Sequence, residues 1–413
     1  MRKILIGCLV VLSFLITSCA RAGKGDPDRL TVLCNEYQTQ DITNAYLIAR
    51  DPYQSFKVPN FITPAEDFSN EKELYDSLMT GFMKKSPEID LFMVDCRDPH
   101  AYEIIENQYY TDLSRDERLR TYFDDMYPEI ADWCTDGDAV FGFPYYVFYG
   151  MQIMADEEKI RSIGYTVEDI ATVEGLLDFC DQWRTEKSSP PYDGYYLSAA
   201  EYYRNYMLLH FDRDTGELDL TTPEFRSLLS QCRELNETQP IFQAATSGNS
   251  MSDISPLYFG FSALIPQQNQ RCSQYAPVSY PLLDGEPPDT KRYATVYWIM
   301  INPYSEHKDW AMRCIEGLAR TSGDMAWAFS PIYRDASYYE TDSPVPAAYT
   351  QEMLDQAAPV LQDTYVGISF PGYREAVKIL NAYVTGGTKT MDEAVEEAQN
   401  ILDLMRAEQY IGR

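Results

Sequence analysis

The sequence predicts an α/β protein with doubly wound sheets, and three observations carry that expectation. Short apolar runs of strand length alternate with longer stretches whose apolar residues recur at helical spacing. At 413 residues the chain exceeds what one hydrophobic core usually serves, so two lobes are expected. No internal repeat is present in the sequence.

From the N-terminus, Arg2 and Lys3 precede an apolar run, Ile4 to Ile16, that is too short to span a bilayer. It ends in Leu15-Ile16-Thr17-Ser18-Cys19, which resembles the bacterial lipobox, in which the cysteine receives lipid. Residues 1–18 then read as a signal peptide and 19–30 as a lipidated tether. Next, "LTVLC" (30–34) and "IDLFMV" (89–94) read as strands buried on both faces. Between them a helix is expected from Asn70, with Glu73 completing a capping box and Leu74, Leu78 and Phe82 on one face.

The run "FGFPYYVFYG" (141–150) is too rich in phenols for a simple core strand, because each buried hydroxyl needs a partner. Beyond it, Thr166, Glu168 and Asp169 open a region leading to a helix lined by Leu176, Leu177, Cys180 and Trp183. The stretches 186–194 and 282–291, rich in Pro, Gly, Ser and Asp, read as turns or exposed loops. "YATVYWIMIN" (293–302) is a strand, and Ser305 is placed to cap the helix bearing Trp310, Ala311, Cys314, Ile315 and Leu318. At the end, Thr390 and Glu393 form a second capping box ahead of Ala394, Ala398, Ile401, Leu402 and Met405.

Composition narrows the function. The net charge of −30 repels nucleic acid and anionic lipid headgroups, so no nucleic-acid partner is expected. Apart from Cys8 and Cys19, the cysteines at 34, 96, 134, 180, 232, 272 and 314 are scattered and form no Cys-x-x-Cys pair. They read as small core residues rather than a zinc ribbon or a disulfide framework. The histidines, His100, His210 and His307, lack metal-helix spacing, and neither Gly-x-Ser-x-Gly nor a Walker-type loop occurs. No catalytic residue, metal site or cofactor is expected. A glycosidase carboxylate pair would be sought in "YFDDMYPEIADW" (122–133), which reads instead as a solvated helix face.

Several stretches together carry a family likeness: "SPEIDLFMVD", "VFGFPYYVFYGMQIMADEEKIRSIGY", "YPLLDG", "INPYSEHKDWAMRCIEGLA" and "GGTKTMDEAVEEAQNILD". In this order, after a lipobox, they resemble the extracellular solute-binding proteins of bacterial ABC importers, in the family that includes the maltose-binding protein. The resemblance runs from about residue 30 to residue 405. It implies a two-lobed periplasmic-binding-protein-like fold, each lobe a mostly parallel sheet flanked by helices, with a ligand cleft between. The lobes would be 31–143 with 283–331, and 144–282 with 332–413. Many relatives carry a Tyr-Asn pair where Ala155 and Asp156 stand here, and the stretch from Gln38 to Asp67 does not announce the long helix that usually follows the first strand.

What the resemblance implies for function is a monomeric surface lipoprotein, lipidated at Cys19 on the outer face of the cell membrane. It would capture a carbohydrate and deliver it to ABC permease subunits. Pro144 and its neighbours would cross between lobes, and residues 279–283 would cross back. In open α/β sheets ligands bind beyond the carboxyl ends of strands. Those ends offer Asn35, Glu36 and Tyr37 after the first strand, Asp95 after the second run, and Trp298. Tyr146, Phe261 and Tyr373 are candidates for the opposite wall. Carboxylates accept several hydroxyl hydrogen bonds, and aromatic faces suit the C–H face of a sugar ring or a cation. A surface glycoside hydrolase, a polyamine receptor and a receptor feeding a sensor kinase are the competing readings.

Overall fold

A computed structural model of the chain describes residues 29–35, 38–49, 57, 59–63, 71–149, 152–187, 189–194, 197–242, 255–260, 275–278, 280–321, 330–340 and 349–410. Twelve strands lie among them: β1 Thr31–Leu33, β2 Asn60–Ile62, β3 Leu91–Asp95, β4 Thr135–Asp136, β5 Ala139–Val140, β6 Phe143–Phe148, β7 Gln152–Asp156, β8 Tyr192–Gly194, β9 Leu257–Gly260, β10 Tyr275–Val278, β11 Arg292–Ile301 and β12 Thr364–Val366. The chain divides into two compact units. The first is Met1–Met93, Tyr109–Thr111 and Ile299–Leu318; the second is Val94–Gln108, Asp112–Trp298 and Ala319–Arg413.

In the first unit β1 lies between β2 and β3 and runs parallel to both, with Val32 opposite Phe61 and Leu91. Its residues are buried on both faces, as the apolar run implies. The Glu71–Met83 helix packs through Leu74, Leu78 and Phe82, all buried, and Phe82 meets Phe92 edge-on at 5.2 Å. Its expected cap, Asn70, lies outside the described residues. The helix Thr39–Ala49 is a finding the sequence did not announce. Its packing partner explains it: a Cβ on Gly317 would stand 2.1 Å from the Ala45 carbonyl, so only glycine lets these backbones approach so closely.

One buried carboxylate organises this unit. Asp90, just before β3, accepts hydrogen bonds from the Thr31 amide at 2.8 Å and the Ser305 hydroxyl at 2.5 Å, with His307 Nδ1 at 3.2 Å. Asn302 closes the ring, donating its amide N–H to the Asp90 carbonyl at 2.9 Å and its side-chain amide to Ser86 and Ile89. Ser305 was expected to cap the following helix. Its hydroxyl instead accepts from the His307 amide at 2.9 Å, shaping the turn ahead of Lys308–Arg320.

In the second unit β12 and β6 both pair with β11, β12 in parallel. A smaller sheet has the order β10-β7-β9-β8 and departs from the mostly parallel arrangement expected. β7 runs antiparallel to both β10 and β9, and only β8 with β9 is parallel. Asp156, at the end of β7, caps the Glu157–Arg161 helix by accepting from the Lys159 amide at 3.1 Å. The Val173–Lys187 helix starts at Thr172, whose hydroxyl accepts from Gly175, and buries Leu176, Cys180 and Trp183. The Thr390–Glu393 capping box forms as expected, with reciprocal bonds of 2.8 and 3.3 Å. Six cysteines, at 34, 96, 134, 180, 232 and 314, are buried free thiols; Cys272 lies outside the described residues. Among the described residues no helix is long and apolar enough to cross a membrane.

Replacing Asp90 with alanine strands a buried amide and a buried hydroxyl. The expected loss is roughly 3 kcal/mol of unfolding free energy, read by urea denaturation. A loss below about 0.5 kcal/mol would show that this ring of bonds does not hold the unit.

Candidate functional site

The turn after β3 is fixed from both sides within the second unit. The Cys96 amide donates to the Val296 carbonyl at 2.9 Å, and its carbonyl accepts from the Ser369 amide at 2.7 Å. Its thiol, held neutral by burial, accepts from the Val296 amide at 3.2 Å. Two residues on, Asp98 caps the Pro99–Glu106 helix by accepting from the His100 amide. The backbone from Asp95 to Asp98 therefore has little freedom, and the side chains it carries are aimed rather than loose.

Asp95 points back onto this turn. Its Oδ1 accepts from the Arg97 amide at 2.8 Å and Nε at 3.0 Å, and its Oδ2 accepts from Arg97 Nη2 at 2.7 Å. Arg97 Nη2 also donates to the Tyr297 hydroxyl, and the guanidinium stands 5.6 Å from the centroid of that ring. Tyr297 meets Tyr146 edge-on at 5.9 Å, and Tyr146 stacks on Tyr145 at 4.1 Å with their hydroxyls 3.2 Å apart. Burial works against the Arg97 charge, but the hydrogen bonds and charge of Asp95 outweigh it and hold the pKa above the ordinary value. Side-chain exposure is 52% for Arg97 and 19% for Asp95, so the pair presents its cationic edge outward.

A second pair adjoins on the same turn. Asp98 accepts from Arg374 Nη2 at 3.1 Å, and its other oxygen lies 2.7 Å from His100 Nδ1. Arg374 is the second residue of the Tyr373–Val384 helix, which starts from Gly372 in a left-handed conformation at φ 82°. The chemistry available is a guanidinium, a phenol and aromatic surface beside a carboxylate whose oxygens are already engaged by Arg97. Groups of this kind can hydrogen-bond hydroxyl-bearing molecules and make ring contacts with them. Among the described residues no cluster of His, Cys, Asp or Glu could hold a metal ion.

The residues expected from the sequence distribute as follows. Asp95 and Tyr146 meet through Arg97 and Tyr297. Tyr373 is a buried residue on the Tyr373–Val384 helix, packed edge-on against Phe370 at 5.3 Å, and burial pushes its phenol well above the ordinary value. Asn35, in the first unit, donates its amide to Gln38 Oε1 at 2.9 Å. Glu36, Tyr37, Phe261 and Cys19 lie outside the described residues.

Trp298 is corrected to a core residue: it is fully buried and meets Phe141 edge-on at 5.1 Å. Strand alternation gives the reason, since successive side chains on β11 face opposite ways and Tyr297, not Trp298, turns toward Arg97. Arg97 and Tyr297 were missed. The sequence signal for Arg97 was its place two residues after Asp95, where an Asx-type turn brings a side chain back to the carboxylate.

Comparison with known proteins adds the fold. No family model matches the chain, and no curated protein matches it. Solved structures do. The maltose-bound MalE3 of T. maritima aligns over 91% of this chain and 99% of its own, with TM-score 0.62 and 14% identity. The GacH receptor of Streptomyces glaucescens, solved unliganded and with acarbose, aligns over 92% and 98% with TM-score 0.60 and 11% identity. A sugar transporter from Rhizobium etli in an open conformation aligns over 91% and 99% with TM-score 0.58 and 13% identity. The chain thus has the two-lobed α/β fold of these solved structures along nearly its whole length, as the sequence resemblance implied.

Trp298→Ala should cost about 3–5 kcal/mol of unfolding free energy, as the loss of a large buried ring does. Asp95→Ala, removing a half-exposed ion pair, should cost about 1 kcal/mol or less. Guanidinium denaturation of the two variants checks the order; a reversed order would remove Trp298 from the core.

Proposed function

We propose that the chain is a surface lipoprotein that binds an extracellular carbohydrate, most simply an oligosaccharide, and delivers it unchanged to an ABC permease. The observation that carries this reading is the alignment of nine-tenths of the chain with nearly all of the maltose-bound MalE3 and of the acarbose-binding GacH receptor. The chemistry at the end of β3 supports it. The half-buried Tyr297 ring suits the C–H face of a sugar, backed by the buried Tyr146, while Arg97 and the Tyr297 hydroxyl can hydrogen-bond its hydroxyls.

In this reading Asp95, Arg97 and Tyr297 contact the solute, with Asn35, Glu36, Tyr37, Tyr146, Phe261 and Tyr373 contributing. Two lobes, 31–143 with 283–331 and 144–282 with 332–413, close on it, and the closed form is the one the permease accepts. The role is binding rather than catalysis. Cys19 carries the lipid that anchors a monomeric receptor to the outer face of the cell membrane.

The test is a thermal-shift screen of the protein lacking residues 1–19 against neutral oligosaccharides, with product analysis. A saturable rise in Tm with an intact saccharide recovered is expected. Asp95→Ala should weaken binding by about tenfold or more, equal to roughly 1.4 kcal/mol. Released reducing ends would replace this reading with a hydrolase; a response to spermidine alone would replace the sugar with a polyamine.

Anchoring is checked separately. Cells fed labelled palmitate should label the wild-type chain, and Cys19→Ala should abolish both label and membrane retention. Undiminished labelling in that variant would overturn the anchor.

A further inference from the structure

A cavity stands apart from the residues discussed above. Within the second unit, the Ala200–His210 and Pro223–Thr238 helices and the loop 283–291 enclose a volume of about 660 Å³. Small-molecule pockets run from roughly 300 to 1,000 Å³, so this one is ample for a compact guest. Leu209, Leu228, Leu283, Pro223, Pro287 and Tyr206 line it, and Leu209 is 40% exposed on its lip.

The walls are preformed. Tyr206 is held by its hydroxyl, 3.2 Å from Thr222 Oγ1, and by the His210 ring at 4.1 Å. The loop is tied to both helices: Gln231 Nε2 donates to the Asp284 carbonyl at 3.1 Å, and Asn205 Nδ2 donates to the Lys291 carbonyl at 2.9 Å. Inside the loop, the Glu286 carboxylate accepts from the Leu283 amide at 2.7 Å and from both terminal nitrogens of Arg292 at 3.0 Å. A preformed apolar cavity binds without first ordering its walls.

Its charge is one-sided. Glu286 is neutralised by Arg292, but Glu224, Asp284 and Asp289 line the cavity with no ion pair among the described residues, facing the single ammonium of Lys291. Burial pushes the His210 imidazole below its ordinary value, so it adds no positive charge at neutral pH. The chain's net charge of −30 further favours cations.

We propose that this cavity is a second binding site, for a small organic cation with a compact apolar or aromatic body, such as an arylalkylammonium. The body rests against Leu228, Leu283 and the Tyr206 ring, and the ammonium lies at the rim formed by Glu224, Asp284 and Asp289. The site shares no residue with the carbohydrate site proposed above and stands or falls independently of it.

Three probes of one shape and different charge decide the matter: 2-phenylethylammonium, 2-phenylethanol and phenylacetate, titrated calorimetrically into the purified full-length protein at low ionic strength. The cation should bind with a Kd of about 1 mM or tighter, phenylacetate about tenfold more weakly or not at all, and added salt should narrow the gap. Ser227→Trp, at an exposed position lining the cavity, should abolish binding of the cation. The combined Glu224→Gln, Asp284→Asn and Asp289→Asn variant should bring the cation to within about twofold of the alcohol. Equal affinity for cation and anion, no binding of the cation, or binding undiminished by Ser227→Trp would each overturn the proposal.

Discussion

The candidate carbohydrate site depends on the clamping of one residue, Cys96. Its amide and carbonyl are bonded to Val296 and Ser369, which lie far apart in the sequence, and its thiol takes a third bond from Val296. With that peptide fixed, Asp95 and Arg97 are held where their side chains meet, and Asp98 is placed to start a helix. A carboxylate at the end of a free loop would sample many orientations, and each would be lost on binding at an entropic cost. Here that cost is met during folding by backbone hydrogen bonds.

The aromatic run 141–150 shows how phenols are accommodated inside such a frame. β6 is buried along most of its length, yet its tyrosines are not left without partners. Tyr149, beyond its end, donates to the Pro331 carbonyl and is fully buried, which holds its phenol well above the ordinary pKa. Tyr145 and Tyr146 stack and share a hydroxyl contact, and Tyr146 continues the chain of rings to Tyr297. One strand therefore serves packing at one end and the Arg97 cluster near its middle. This division accounts for its mixture of Phe and Tyr.

Much of this architecture was legible in the sequence because burial writes itself as periodicity. β1, β3 and β11 announce themselves as apolar runs, and the Thr390–Glu393 box predicts the local bonds that form. The helix Thr39–Ala49 did not announce itself, since it buries Ile42 and Ala45 but exposes Leu47 and Ile48, and its contact with Gly317 is set by chain far away. The antiparallel sense of the smaller sheet is hidden likewise, because β7 pairs with strands about a hundred residues downstream. At the site, chemistry picked out Asp95 but not its partner. Whether Tyr297 or Trp298 turned outward depended on which face of β11 was covered, and strand alternation alone does not carry that information.

The proposed role requires that the protein hold an intact sugar by noncovalent contacts. Native mass spectrometry of the protein after incubation with a mixture of neutral oligosaccharides addresses it most directly. One or a few complexes are expected, each heavier than the protein by the mass of an unaltered saccharide and dissociating to that saccharide on activation. Complexes carrying only cleaved fragments, a covalent glycosyl adduct, or no complex with any oligosaccharide would contradict it.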